Sequence, residues 1–327
     1  MNDAFHIRGG GVAGLTLAAE LSGRGAQVSV SDPGGPPGAQ SCSWWAGGML
    51  APDCEGFSAE PDVIAKGREA ADWWERQDVA VARKGTLVVS LARDRTELQT
   101  FARRVPNARW LCQDALEALE PDVAERFSRA LFLKDEAHID PRRALIALHH
   151  RLDCNGVEFI PPTDLPSARL VDCRGVAARD LLEDLRGVKG EMAIIRSEQV
   201  SLSRPVRLLH PRFPLYIVPR EGSVFMLGAT QIESSQRSSA GLRSVLDLLG
   251  AAYALHPAFG EAEILEIGVD ARPAFPDNQP RIRHLSTCLS LNGLFRHGFL
   301  LAPSLARMSA DLLLGNIIPE VWYEDRR

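Results

Sequence analysis

The stretch Gly9-Gly10-Gly11-Val12-Ala13-Gly14 constrains this chain most, because it follows a short apolar run, Phe5 to Ile7, and opens the helical pattern Val12 to Leu21. In that setting the spacing G-x-G-x-x-G has a physical meaning. Gly9 lets the chain turn sharply out of a strand, Gly11 admits a pyrophosphate close to the backbone, and Gly14 lets the helix pack on the sheet. The helix N-terminus, with its unsatisfied amides, then faces the phosphates. A second strand, Gln27 to Ser31, runs into Asp32, 18 residues beyond Gly14 and close to the roughly 20 expected of an acid that holds a ribose hydroxyl. A carboxylate there disfavours a 2′-phosphate. Strand, glycines, helix, strand and acid in one βαβ unit predict a dinucleotide site. Arg8 departs from the apolar pattern of a central parallel strand, so its charge needs a partner or water.

With 327 residues and 45% hydrophobic content, the chain can bury the core of two domains or of one elaborate α/β domain. Net charge is −5 and no Lys/Arg run is interleaved with aromatics, so no nucleic acid partner is expected. No stretch approaches the roughly 18 apolar residues of a membrane span, and the N-terminus lacks a signal-peptide pattern, which predicts a cytoplasmic protein with no membrane contact. The six cysteines include no C-x-x-C pair, and His149-His150 has no matching ligand spacing. Reduced, mostly buried thiols and no metal are the expectation. Trp73-Trp74 reads as core.

After Asp32, the Pro/Gly-rich segment Pro33 to Gly38 forms a loop that leads into Ser41 to Leu50. Helices are predicted over Pro61 to Arg76, Thr96 to Arg104 and Asp114 to Leu119, with strands Thr86 to Leu91 and Ala130 to Leu133. Asp140-Pro141 caps a helix to about Asn155, and Arg169 to Asp172 reads as another strand of the first sheet. From about Gly190 to Gly268 the character changes to strand-like runs, Glu191 to Ile195, Leu215 to Val218 and Val224 to Gly228, with one helix, Ser239 to Leu255. The C-terminal end returns to strand Cys288 to Leu291 and helix Ser304 to Gly315. The predicted class is α/β, α+β overall: a Rossmann-like domain from residues 1–82, 139–188 and 269–327, with an inserted antiparallel-sheet domain from 83–138 and 189–268.

Four pieces of the chain resemble the FAD-dependent D-amino acid oxidase superfamily, and within it the glycine oxidases of thiamine biosynthesis. They are Gly9 to Gly14 with Asp32; Ala46-Gly47-Gly48-Met49-Leu50-Ala51-Pro52; Tyr216 to Arg220 followed by Gly228-Ala229-Thr230; and Arg272-Pro273 with Asp277 and Pro280, then Phe295 to Pro303. The resemblance implies FAD as cofactor. It implies FAD contacts at Gly9, Gly11, Val12, Ala13, Gly14, Asp32, Cys42, Ser43, Gly47, Gly48 and Met49, and along the loop Leu294, Phe295, Arg296, His297, Gly298, Phe299 and Leu300. Arg272 and Arg296 match arginines that hold a substrate carboxylate, and Tyr216 an active-site tyrosine. Gln231 stands where some relatives have methionine, and the segment Val157 to Leu170 is short for the family.

The implied reaction is oxidation of glycine, with sarcosine or small D-amino acids as alternatives, by hydride transfer to flavin N5 and reoxidation by O2. Its products are glyoxylate, ammonia and H2O2. A functional link to thiazole synthase is also implied, and a homo-oligomer is compatible with a sequence that does not fix the oligomeric state. An arginine suits the carboxylate because its planar fork makes two parallel charge-assisted bonds. The bland readings remain open from sequence alone: Arg272 as a surface arginine, Arg296 as an interdomain salt bridge, Tyr216 as packing, His297 as structural. An FAD-dependent dehydrogenase, a sarcosine-type oxidase and a non-catalytic FAD-binding subunit are the rival functions.

Overall fold

Apolar strands flanking a glycine turn form where the pattern places them: strand Ala4–Arg8, helix Val12–Gly23 and strand Gln27–Ser31, the two strands parallel with Phe5 opposite Val28. The computed structural model describes residues 3–163, 166–209 and 215–327. Among these, one sheet has seven strands in the spatial order Tyr323–Arg326, Arg281–Leu285, Leu289–Asn292, Arg169–Asp172, Ala4–Arg8, Gln27–Ser31 and Glu158–Phe159. Its central strands are parallel and buried on both faces, which is why they read as near-continuous apolar runs. Helices Val12–Gly23, Pro141–Cys154 and Gly298–Gly315 pack into the same core through Leu15, Leu148 and Leu301, each 0% exposed. Asp140 caps the second of them, accepting from Arg142 N at 2.9 Å.

The second sheet has nine strands among the described residues and is mostly antiparallel. Its longest pair, Arg186–Arg196 with Glu263–Ala274, runs from Arg186 opposite Ala274 to Arg196 opposite Glu263. Glu263–Ala274 is a strand the sequence reading lacked, and it crosses the expected boundary at 268/269, so Arg272 lies on this sheet. Helix Leu242–Leu255 covers the sheet through Leu248 and Leu255. The observed α/β architecture is that of the expected class.

Several local expectations change. The helix over Pro61 to Arg76 is two helices, Pro61–Gly67 and Ala70–Arg76. The C-terminal helix begins at Gly298, six residues before Ser304, and carries Pro303 inside it. Pro303 lacks the amide that would reach the carbonyl of Phe299, and Trp74 Nε1 donates to that oxygen instead at 2.9 Å. Trp73 and Trp74 are core residues, 4% and 0% exposed. Of the thiols, Cys54, Cys173 and Cys288 are buried and Cys42 is half-buried, but Cys112 and Cys154 are exposed; all are free. His149 stacks on Phe159 at 3.8 Å between ring centres. Arg283, 3% exposed, pairs with Asp184 and Glu324 at 2.6 and 2.8 Å. Within Val157 to Leu170, Glu158–Phe159 adds an edge to the first sheet, and Asp164 and Leu165 lie outside the described residues. Among the described residues no helix is long and apolar enough to cross a membrane, and no His/Cys/Asp/Glu group could hold a metal.

Candidate active site

Two of the three motif glycines are demanded by the protein's own packing. Gly9 has φ +107°, donates to Ser31 O at 2.8 Å, and a Cβ there would stand 2.5 Å from Cys173 O. A Cβ on Gly14 would come within 1.9 Å of Gly9 O. Gly11 differs, because its φ of −78° suits any residue and its missing Cβ faces only Ser43 Oγ at 3.3 Å and Ser41 Oγ at 3.4 Å. Val12 N donates to Ser43 Oγ at 3.0 Å, and Ser41 caps the short helix Cys42–Trp45. Ala13 lies half-buried in the same first turn. The N-terminus of Gly298–Gly315 abuts this turn, since a Cβ on Gly298 would lie 3.4 Å from Val12 Cγ1. Two helix N-termini and two serine hydroxyls thus converge on Gly11, where a Cβ would crowd both hydroxyls. That donor set suits a diphosphate. Asp32 accepts from Gly10 N at 2.7 Å and Gly34 N at 2.8 Å, which fixes its carboxylate at the end of the strand Gln27–Ser31. Burial pushes the Cys42 thiol up to about 12, so it stays protonated.

The loop Gly47-Gly48-Met49 crosses toward the second sheet. Gly47 O accepts from Arg220 Nη2 at 2.6 Å; Gly48 has φ +70° and leaves no room for a Cβ, with Ile139 O at 2.3 Å; Met49 pairs with His138. The ring of Tyr216 is wedged between two glycines, since a Cβ on either Gly47 or Gly228 would come within 2.7 Å of Tyr216 Cε2. Burial raises the phenol pKa, so Tyr216 is neutral. Gly228, Tyr216 and Arg207 are register partners on neighbouring strands and share one face of the sheet. Arg207, 6% exposed, donates to Cys54 O at 3.3 Å.

The two candidate carboxylate arginines differ in what holds them. Arg296 donates to Glu55 and to Ser58 Oγ (2.8 Å), and Glu55 also meets His297 Nε2 at 3.0 Å. Burial raises the Glu55 pKa, but Arg296 and His297 outweigh it and hold the carboxyl well below the usual range. Arg272 has no ion-pair partner among the described residues. Its Nη1 donates to Thr230 O at 3.0 Å, and its guanidinium lies over Gly190, where a Cβ would be 2.5 Å from Cζ. Burial dominates the raised phenol pKa of Tyr216, and Arg272, ahead of Arg296 and Arg207, opposes it. The structure therefore packs Tyr216 against Gly47 on the sheet face that also carries Arg272, and commits Arg296 and His297 to Glu55. Sequence reasoning missed Glu55, whose one available signal was its position three residues beyond the Ala46 to Pro52 run, and it gave Arg220, the last residue of the Tyr216 to Arg220 run, no role. Leu294 and Phe295 are buried ahead of the helix, and Phe295 N donates to Pro273 O at 2.9 Å, tying this loop to the Arg272 strand. The first amides of the C-terminal helix are those of Gly298, Phe299 and Leu300, and not of Ser304.

Comparison with known proteins agrees with this geometry. The family model described as FAD dependent oxidoreductase matches residues 6–312. The chain is 51% identical to a putative thiamine biosynthesis oxidoreductase ThiO of Rhizobium etli, covering 94% of this chain and 95% of that one. It is 26% identical to a bifunctional ThiO/ThiG protein of a Synechocystis species, over 94% of this chain and 51% of the relative. The crystal structure of glycine oxidase from Geobacillus kaustophilus superposes with TM-score 0.80 at 22% identity, covering 95% of both chains. The family is FAD-dependent, and the turn before Val12, with its helix amides and the Ser41 and Ser43 hydroxyls, has the donor chemistry a diphosphate needs. The chain belongs to the FAD-dependent D-amino acid oxidase superfamily, in its ThiO and glycine oxidase branch.

Proposed function

We propose that this enzyme oxidises glycine with O2 and water to glyoxylate, ammonia and H2O2, and so serves the thiazole branch of thiamine biosynthesis. The observation that carries this reading is the guanidinium of Arg272, which has no ion-pair partner among the described residues, on the sheet face that also carries the neutral phenol of Tyr216, whose ring lies against Gly47. In this reading, with both boundaries moved from the expected ones to the ends of the second sheet's strands, residues 1–82, 139–185 and 275–327 hold FAD, and 83–138 with 186–274 hold the substrate. The FAD contacts are Gly9, Gly11, Val12, Ala13, Gly14, Asp32, Cys42, Ser43, Gly47, Gly48, Met49 and Leu294 to Leu300. FAD, when bound, supplies the two-electron acceptor. Arg272 binds the substrate carboxylate through a planar fork, which fixes the α-carbon relative to the rest of the site. Tyr216 lends its hydroxyl to the same carboxylate. Arg296 acts through Glu55 in shaping the loop.

Glycine as substrate is supported by the family branch and by a site walled with Gly47, Gly228, Tyr216 and Met49. The link to a thiazole synthase is supported by the ThiO/ThiG relative, in which a chain like this one is about half of the protein. The test is a screen of glycine, sarcosine and small D-amino acids, following anaerobic flavin bleaching and then oxygen consumption. Bleaching by glycine with H2O2 formed on admitting air is expected. Bleaching that air does not reverse points to a dehydrogenase. An unchanged spectrum with every amine rejects the enzyme reading in favour of an FAD-carrying subunit.

A further inference from the structure

Thr230, whose carbonyl receives Arg272 Nη1, is 7% exposed and bound to Glu191 by three hydrogen bonds. Thr230 N donates to Glu191 O at 3.1 Å, Glu191 N donates to Thr230 Oγ1 at 2.9 Å, and the hydroxyl donates to Glu191 Oε2 at 3.2 Å. Glu191 is 0% exposed, and its other oxygen accepts from Gly241 N at 2.8 Å and meets Lys189 Nζ at 2.9 Å. Lys189 Nζ also donates to Ser239 O at 2.6 Å. Lys189 and Glu191 alternate with Gly190 on one strand, so they lie on the face opposite the one where Arg272 rests.

An ion pair taken out of water adds little net stability, and breaking it by removing one partner is costly. The reason to keep this pair is geometric. It binds Thr230 and the chain at 239–241 to the strand that carries Gly190, so the carbonyl that grips Arg272 cannot drift. Burial raises the Glu191 pKa, while Ser244, Lys189 and Gly241 outweigh it and keep the group ionised.

We infer that Thr230 and Glu191 are positioning residues for Arg272: by fixing one guanidinium nitrogen they aim the remaining donors at the substrate carboxylate. This rests on the proposed substrate role of Arg272. The test uses the FAD-loaded full chain and acetate as a carboxylate probe, with affinity read by calorimetry and by the change in the visible flavin spectrum. Thr230→Val, which keeps the shape and loses the hydroxyl, is expected to weaken acetate and raise the glycine KM by about tenfold with FAD content unchanged. Thr230→Ser is expected to restore both. Glu191→Gln should follow Thr230→Val if it folds; Thr230→Val decides the matter if it does not. On an Arg272→Ala background, Thr230→Val should add nothing. Parental acetate affinity in Thr230→Val, or an equal loss with Arg272 already absent, overturns the brace while leaving the role of Arg272 intact. Parental affinity in Arg272→Ala alone overturns the substrate reading itself.

Discussion

Replacing Arg272 separates charge from geometry. One of its five donors is spent on Thr230 O at 3.0 Å, which leaves enough for two parallel bonds to a carboxylate. Each charge-assisted bond contributes about 1.5–3 kcal/mol, so Arg272→Ala should lose about 3–6 kcal/mol of transition-state stabilisation, or roughly 10²–10⁴ in kcat/KM. Arg272→Lys keeps the positive charge but loses the fork, so it should recover part of the binding and little of the turnover. The assay is anaerobic stopped-flow reduction across a range of glycine concentrations, which separates binding from the chemical step. The oxidised flavin spectrum should be almost unchanged in both variants, because the contact is to substrate. An Arg272→Ala protein that reduces within threefold of the parent refutes the argument, and Arg296 would then have to leave Glu55 and Ser58 to take the carboxylate.

Gly11 and Gly14 should respond differently to substitution. Gly11→Val should fold and lose FAD absorbance, since its side chain crowds the Ser41 and Ser43 hydroxyls beside the Val12 amide, whereas Gly14→Ala must displace the helix by about an ångström from Gly9 O and should lower the melting temperature. Full FAD content in folded Gly11→Val rejects the cradle. Trp74→Phe leaves Phe299 O without its donor and should cost about 1–3 kcal/mol in thermal or urea unfolding. Pro303→Ala in the same protein should recover part of this by restoring an amide, and no recovery rejects the account. Burial raises the Glu136 pKa to about 8, so between its ordinary value of 4.5 and about 8 the native state holds a proton that the unfolded chain has lost. The stability this confers is complete below the unfolded pKa and is lost as pH rises through the folded one. Glu136→Gln keeps an acceptor for Cys54 N and removes the titration, so its melting temperature relative to the parent should climb from pH 6 to pH 9; a constant difference refutes it.

What the sequence determined by itself was local and periodic. The turn at Gly9, the strand–helix–strand unit, the Asp140 cap and the strand Val224–Gly228 all depend on residues within a few positions of one another, where sterics, capping and alternation act without tertiary help. The strand Glu263–Ala274 was illegible because its first half is mostly exposed and its pairing partner lies some seventy residues earlier. The C-terminal helix could start at Gly298 because the carbonyl orphaned by Pro303 found Trp74, 225 residues away in sequence. The same reason governs the site. Arg272 and Arg296 are alike as sequence, and a guanidinium takes its role from whatever carboxylate or carbonyl the fold brings to it. Glu55 arrives across 241 positions to occupy Arg296, while among the described residues Arg272 meets the backbone carbonyl of Thr230 and no carboxylate, and that difference in partners exists only in three dimensions.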